Sequence, residues 1–393
     1  MPVNKQDIQL AKGAISGTII SNLTIFAGPL YIGSLMDGLG FSELEAGLGT
    51  TLELSAVAIS CLLIANFLPR LSLRYLAMAG MGIALASNLF CMFTTDHLTI
   101  LMLRTVAGIG AGFCLASSSS LLGRMVDPDK MVAIMMMVTV MVMMMILPVM
   151  GYAKELWMYG GMMGVYSLVL LALFPLFFYL PAKPHAKNEG GVVQVDNNQH
   201  YDPKWVLGIM GVGLLILFCV IESSVWAFSE RSASFLGMAE ADIGIVLASA
   251  QGFGLLGAAM PAILGNRMPF IYPVAIGGLL IGLAGLTIYQ TSSELIYIIG
   301  MCVFCFSFFM AFPYLIGACS KLDDEGRWAA RAFSLNLLGG AAAPFVAASI
   351  VSGWGYEALG TFCLVMALIC IAIAVLFYNK VTKDVAGLEL KAA

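Results

Sequence analysis

Residues 39–47 read LGFSELEAG and residues 236–244 read LGMAEADIG, so a similar short pattern returns after 197 residues. The same offset pairs residues that follow these segments: Arg70 with Arg267, Tyr75 with Tyr272, Gly80 with Gly277, Arg124 with Lys321, Asp127 with Asp324, Ala133 with Ala330, Trp157 with Trp354 and Tyr159 with Tyr356. Chance gives one or two such matches, but not a constant register over most of the chain. The sequence therefore predicts two similar halves.

The composition places most of the chain in a membrane. Of its 393 residues, 60% are hydrophobic and 11% are charged, whereas soluble domains carry about 25% charged residues. Apolar stretches long enough to cross a bilayer, about 20 residues each, recur along the sequence. They are continuously apolar and do not alternate with period two, which favours helices over a β-barrel. We predict an all-α membrane protein.

The apolar stretches predict twelve transmembrane helices, six in each half. Their approximate bounds are 13–35, 45–68, 74–94, 98–122, 131–152, 158–180, 205–229, 241–264, 271–289, 294–318, 330–352 and 356–378. The polar segment 181–204 reads as a linker between residues 1–180 and residues 205–393. An even number of helices per half leaves the two copies parallel, which is common in secondary transporters.

Positive charges predict the orientation. If the N-terminus is cytoplasmic, sixteen Lys and Arg residues lie in inside segments, while only Lys154 and Arg231 lie outside. Such a bias is typical of cytoplasmic loops. The first apolar stretch is too long for a cleaved signal peptide. We expect both termini in the cytoplasm and a place in a bacterial inner membrane.

The fourth predicted helix carries LMLRTVAGIGAG at residues 101–112, which is similar to the RxxxGxG pattern of the major facilitator superfamily. The resemblance covers essentially the whole chain. It implies two six-helix bundles, with the first, fourth, seventh and tenth helices lining the solute path. In proton-driven members the arginine that matches Arg104 is implicated in energy coupling.

Two other family patterns are only partly present. The loop after the second helix usually reads GxxxDRxGR(R/K), but residues 65–74 read ANFLPRLSLR. Arg70 and Arg74 match, whereas Pro69 replaces the aspartate, so the usual charge-based latch of this loop is not expected. Residues 147–151, LPVMG, resemble the GPxxG element of drug:proton antiporters.

Three charged residues lie well inside predicted helices: Glu53, Arg104 and Glu222. A charge at the bilayer centre costs about 3 kcal/mol even on mild scales, so each needs a compensating reason. The offset of 197 pairs them with uncharged residues: Glu53 with Ala250, Arg104 with Met301 and Glu222 with Ile25. Each of these charges is therefore present in only one half of the sequence. One alternative is that Glu53 and Arg104 form a buried pair that merely orders the first bundle.

Proton coupling is assigned to Glu222, Glu53 and Arg104, with Glu222 as the main carrier. Burial disfavours the charged form of a carboxyl group, so a buried glutamate can take up a proton. Glu222 has no cationic neighbour at helical spacing, whereas a nearby Arg104 would hold Glu53 ionised. Trp226 lies one turn from Glu222 on the same face.

Candidate solute-binding residues share a place in the predicted lining helices or are amides within apolar segments. They are Arg104, Asn22, Tyr31, Trp226, Gln251, Phe308, Phe312, Tyr314 and Asn336. Ordinary packing is the alternative for each aromatic side chain, and hydrogen bonding to another helix is the alternative for each amide.

These features predict a proton-coupled secondary active transporter of a small organic solute. The alternative is a membrane-embedded enzyme or sensor on the same scaffold, but the sequence contains no nucleophile–base set, metal cluster or phosphate-binding loop. We expect no cofactor and no bound metal. The expected partners are the solute, protons and the lipid bilayer, without nucleic acid, and we expect a monomer. Arg104 could attract an organic anion, and Glu53 and Glu222 could attract a cation, so efflux antiport and organic-anion uptake symport both stay open.

The orientation can be tested with reporter fusions at Ala393 and within segment 181–204. Because the positive residues concentrate on one side, both fusions should report the cytoplasm. A fusion near Lys154 should report the opposite side. A signal from outside at Ala393 or in the linker would contradict the predicted topology.

Overall fold

The computed structural model describes residues 5–122, 128–182, 205–264, 267–320, 322 and 327–392. Within these ranges the chain is helical and contains no β-strand. Eleven helices are long and apolar enough to cross a membrane. One of them contains the fifth and sixth predicted spans, so the predicted all-α membrane fold is confirmed.

Twelve α-helices and two short 3-10 helices make up the described structure. The α-helices are α1 Lys5–Leu39, α2 Glu43–Ala65, α3 Leu73–Cys91, α4 His97–Leu122, α5 Pro128–Leu173, α6 Trp205–Ala227, α7 Ser229–Phe235, α8 Glu240–Leu264, α9 Ile271–Gln290, α10 Glu294–Ser320, α11 Arg327–Trp354 and α12 Tyr356–Ala392. The 3-10 helices are Leu68–Arg70 and Phe174–Tyr179.

The chain divides into two compact units. The first contains Met1–Gln194 and Gly237–Ala248, and the second contains Val195–Leu236 and Ser249–Ala393. In the first unit α4 packs on α2 and α3, and α1 packs on α5. In the second unit α10 packs on α9, and α6 packs on α11. The pairs α4–α3 and α1–α5 of the first unit therefore correspond to the pairs α10–α9 and α6–α11 of the second unit.

The predicted helices 131–152 and 158–180 meet without a loop. They form α5, whose only non-helical residue is Met158, with φ 51° and ψ −135°. The sequence suggested a connection of several residues there because Lys154 and Glu155 are charged. Both are helical, and Gly161 lets the chain fold back, since a Cβ there would overlap the backbone of Ala153.

Other helix ends differ from the prediction because apolar length identifies only the membrane-embedded part. The helix predicted at 205–229 ends at Ala227, and the seven-residue helix α7 follows it. The first helix begins at Lys5 and the last one continues to Ala392. The predicted linker 181–204 lies almost wholly outside the described residues.

The turns repeat between the halves in their backbone conformation. Gly40 and Gly237, which the offset of 197 pairs, both have positive φ, at 71° and 83°. Gly355, at φ 84°, is paired in the same way with Met158. Left-handed conformations suit glycine because it has no Cβ. Met158 is the exception, since one copy of the turn carries a side chain.

Glycines on α4 bring it close to α2 and α3. A Cβ on Gly108 would overlap the backbone oxygen of Glu53, and a Cβ on Gly112 would overlap Ser60 on α2. On another face, Gly110 lies directly against Gly80 of α3. Small residues allow such close helix approach in membranes. The glycines of the RxxxGxG pattern therefore set the distance at which Arg104 meets α2.

The strained turn can be tested with a pair of exchanges. Met158→Gly should stabilise the protein by about 1 kcal/mol, because a non-glycine residue in this region of φ and ψ costs about 1–3 kcal/mol and glycine adds some chain entropy to the unfolded state. Gly355→Met should destabilise it by a similar amount. Thermal unfolding in detergent measures both. Equal melting temperatures for all three proteins would contradict the strain.

Candidate functional site

The side chain of Arg104 is the centre of a polar network in the first unit. Its Nε donates to Glu53 Oε2 at 2.9 Å, and its Nη2 donates to the other oxygen of the same carboxylate. Nη1 donates to Asn88 Oδ1, with Met163 Sδ at 3.8 Å. Thr24 Oγ1 lies 3.5 Å from Nη2 and donates to Glu53 Oε1 at 2.7 Å. Paired bonds of this kind fix the planar guanidinium firmly.

Aromatic rings complete the enclosure of this ion pair. The guanidinium carbon lies 4.9 Å from the ring centroid of Tyr31 and 5.3 Å from that of Tyr166, which is within cation–π range. Arg104 is 1% exposed and Glu53 is 3% exposed. A cavity of about 20 Å³ borders the network, enough for about one water molecule. The pair is therefore electrically neutral and nearly dry.

The structure brings together residues that the sequence could not connect. The predicted Glu53 and Arg104 meet, and Tyr31 joins them, whereas Thr24, Asn88 and Tyr166 were missed. A comparison of the two sequence halves could have found them. The offset of 197 pairs each with a residue that could not take its place in the network: Thr24 with Ile221, Asn88 with Gly285 and Tyr166 with Cys363. Polar residues present in only one half mark this network.

Glu222 lies on α6 in the second unit and has a different environment. Ser223 Oγ donates to Glu222 Oε2 at 2.9 Å. No Lys, Arg or His forms an ion pair with it among the residues that the structure describes. Where Glu53 and Arg104 meet in the first half, the second half has Ala250 and Met301, both 0% exposed. The second unit thus carries an acid without the arginine.

The other predicted solute-binding residues fall in both units. In the first unit, Asn22 is partly buried and donates to Thr18 O of its own helix at 2.8 Å. In the second unit, Trp226 and Gln251 are buried, at 4% and 5% exposed. Asn336 is partly buried. Among the residues that the structure describes, the amide oxygens of Gln251 and Asn336 have no hydrogen-bond partner.

Aromatic residues of α10 form a cluster with α6. Phe308 stacks on Phe218 with ring centroids 5.7 Å apart, and Phe312 lies 5.2 Å from Phe308. Phe308, Phe312 and Tyr314 are partly buried, and Pro313 interrupts the backbone hydrogen bonds of their helix. The predicted aromatic residues of this helix therefore include a real cluster beside α6.

Two buried charge clusters were not foreseen, because Lys154 and Arg231 were predicted in outer segments. Lys154 is 1% exposed, and its Nζ lies 3.0 Å from Asp37 Oδ2 and 2.7 Å from Glu240 Oε1. Arg231 is bound through two nitrogens to Glu230, each bond 2.8 Å long. Along the sequence these residues appear only as isolated charges, because their partners belong to other helices or are not recognisable as partners from spacing.

Arg74, in the loop where no charge-based latch was expected, binds backbone oxygens of its own unit. Its side chain donates to the backbone oxygens of Leu180 and Phe178, at 2.8 and 2.7 Å. These carbonyls lie at the end of the 3-10 helix, where backbone acceptors lack partners. Arg70 is exposed. The matching arginine of the loop therefore binds the end of its own bundle.

Solved structures with the same architecture are transporters. The nucleoside transporter NupG aligns with a TM-score of 0.71 and 14% identity, covering 95% of this chain and 99% of that one. A bacterial homologue of the human lysosomal transporter Spinster aligns at 0.70 and 13%, covering 96% and 97%. A POT family transporter, solved with a thioalcohol-conjugated peptide, aligns at 0.69 and 15%, covering 95% and 96%. At such identities the likeness concerns the fold.

Sequence comparison gives the family directly. No curated protein matches the chain significantly. The profile of the Major Facilitator Superfamily, however, matches residues 14–323, which is most of the chain. The match includes most of the first bundle and the helices that carry Glu222 and the aromatic cluster. Together with the eleven candidate spanning helices of the described residues, it shows that this chain belongs to the Major Facilitator Superfamily.

Proposed function

We propose that the protein is a proton-coupled secondary active transporter that moves a small organic solute by alternating access. The observation that carries the proposal is the carboxyl group of Glu222, which lies inside an apolar helix and whose one bonded partner among the described residues is the Ser223 hydroxyl. An acid in such surroundings can exist with or without its proton. Intramembrane acids of this kind mark ion pathways in transporters.

Glu53 is the less suitable proton carrier. Its carboxylate accepts two hydrogen bonds from Arg104 and one from Thr24. Protonation would break the ion pair and leave the guanidinium buried without a counter-charge, which is strongly unfavourable. We infer that Glu53 and Arg104 hold the first bundle together and that Glu222 carries the proton.

Membership of the family and its transporter neighbours argue against the alternative of an enzyme. Both termini are placed in the cytoplasm and the chain in a bacterial inner membrane, on the strength of the positive-residue bias. The protein is proposed to act as a monomer, since each half supplies its own bundle.

The proposal is tested by replacing Glu222 with Gln in purified protein reconstituted into liposomes that contain a pH-sensitive dye. A panel of amines, organic acids, sugars, nucleosides and peptides is added outside. At least one class should move protons through the wild type, and no class should do so through Glu222→Gln, because the amide cannot exchange a proton. A pH difference of one unit should concentrate that solute up to about tenfold in the wild type only.

Glu294→Gln is the matched control, since Glu294 is exposed at the start of α10 and should keep proton movement. Proton movement that survives in Glu222→Gln would refute the assignment, and Glu53 would become the candidate.

The role of the buried pair is tested by replacing Glu53 and Arg104 with the residues at the matching positions of the second half, Ala and Met. Glu53→Ala and Arg104→Met should each lower the free energy of unfolding by about 3–5 kcal/mol, because each leaves one buried charge without its partner. The double variant copies the Ala250–Met301 arrangement and should recover most of that loss. Unfolding in detergent gives the three values.

Proton movement by the double variant then separates the two roles. If the pair only orders the bundle, the folded double variant keeps proton movement. A folded double variant without proton movement would assign coupling to Glu53 and Arg104.

A further inference from the structure

The structure decides between the two charges that the sequence offers to a solute. Every nitrogen of Arg104 that can donate is directed at a partner inside the first unit, and its charge is balanced by Glu53. An anionic solute would have to displace the carboxylate from a site whose cavity holds about 20 Å³. Arg104 is therefore a poor ligand for an organic anion.

Glu222 keeps a negative charge available when it is unprotonated. Ser223 occupies one of its two oxygens, at 2.9 Å. The titratable side chains that face it within the described ranges are Cys219 on its own helix and Cys305 on α10, both ordinarily neutral. A positive ligand would thus meet a carboxylate that no protein cation already neutralises.

An unpaired acceptor lies near this carboxylate. Asn336 on α11 lies beside Cys219, one turn before Glu222, and its buried Oδ1 has no hydrogen-bond partner among the described residues. A buried acceptor without a donor is unfavourable by about 1–3 kcal/mol. A ligand with N–H groups would satisfy both this oxygen and the carboxylate, whereas a ligand that only accepts would satisfy neither.

The apolar surroundings are aromatic. Phe218 lies one turn before Glu222 on α6, and Phe308 stacks on it with centroids 5.7 Å apart. Phe308 and Phe312 are partly exposed, so they present ring surface to a ligand. Aromatic faces attract both apolar groups and cations.

We propose that the second unit binds a protonated amine with an aromatic or apolar body, its ammonium group on Glu222 and its body against Phe308 and Phe312. This rests on the proposed function and names its solute class. Protonated Glu222 releases its proton to solvent, and the resulting carboxylate takes the ammonium, so one positive charge replaces another. Proton and amine exclude each other at this carboxylate, which is the requirement for exchange of one against the other.

The test uses three probes of one shape: 4-phenylbutylamine, 4-phenylbutanol and 4-phenylbutanoate. Alkylamines stay protonated near neutral pH, as lysine does. Binding to the purified protein in detergent is measured by calorimetry, without any gradient. The amine should bind more tightly than the alcohol, and the acid should not bind. Amine affinity should fall as the pH is lowered, because protons compete for Glu222.

Variants separate the charge from the shape of the site. Glu222→Gln should weaken amine binding at least about tenfold, equivalent to about 1.4 kcal/mol, and remove its pH dependence, while binding of the alcohol persists. Glu222→Asp keeps a carboxylate and should retain the preference for the amine. Glu294→Gln should bind like the wild type. Thermal unfolding confirms that each variant is folded.

Three results would overturn the inference: tighter binding of 4-phenylbutanoate, equal binding of all three probes, or amine binding unchanged in folded Glu222→Gln. These results are independent of the proposed coupling. If solutes of another class move protons through Glu222, the proposed function stands and the amine fails. If the amine binds at Glu222 without proton movement, the solute class stands and the coupling fails.

Discussion

The hydrocarbon core of a bilayer offers no hydrogen-bond partner to a polar group, and the structure of this chain follows from that condition. Backbone amides bond within helices because no water is present to accept them. Close packing then depends on small residues, as where Gly108 and Gly112 bring α4 against α2. Charged side chains are few, and most of those that are buried pair with a charge of opposite sign, such as Lys154 with Asp37 and Glu240.

Charges within the helices differ in how well they are satisfied. Arg104 and Glu53 are enclosed by hydrogen bonds and two tyrosine rings, and their charges cancel. Glu222 is partly buried, and its one bonded partner among the described residues is the Ser223 hydroxyl. Glu222 is the residue at which to look for function, because a ligand or a proton can supply the interaction that its carboxylate lacks. The repeat strengthens this contrast, since neither arrangement occurs in the other half.

Local features were predictable where the physics is local. Apolar length identified the spans, and the repeat pairs Gly40 with Gly237, which have the same sign of φ. The predicted bounds were wrong where charges interrupt an apolar stretch. Lys154 was expected between two helices, but it is helical in α5, and Asp37 and Glu240, distant in sequence, neutralise it. The turn at Met158 likewise needs no polar loop, since one residue at positive φ reverses the chain.

The sequence alone determined the all-α membrane fold and the family, because both depend on apolar length and short motifs that are read along the chain. It also singled out Glu53, Arg104 and Glu222 as charges that need a reason. Only the tertiary structure decided which of them are neutralised, since Glu53 and Arg104 meet across two helices and 51 residues of sequence. A charge's partner depends on which helix faces lie together, and that information is absent from any single segment. Which of these charges meets an opposite charge is therefore a property of the fold.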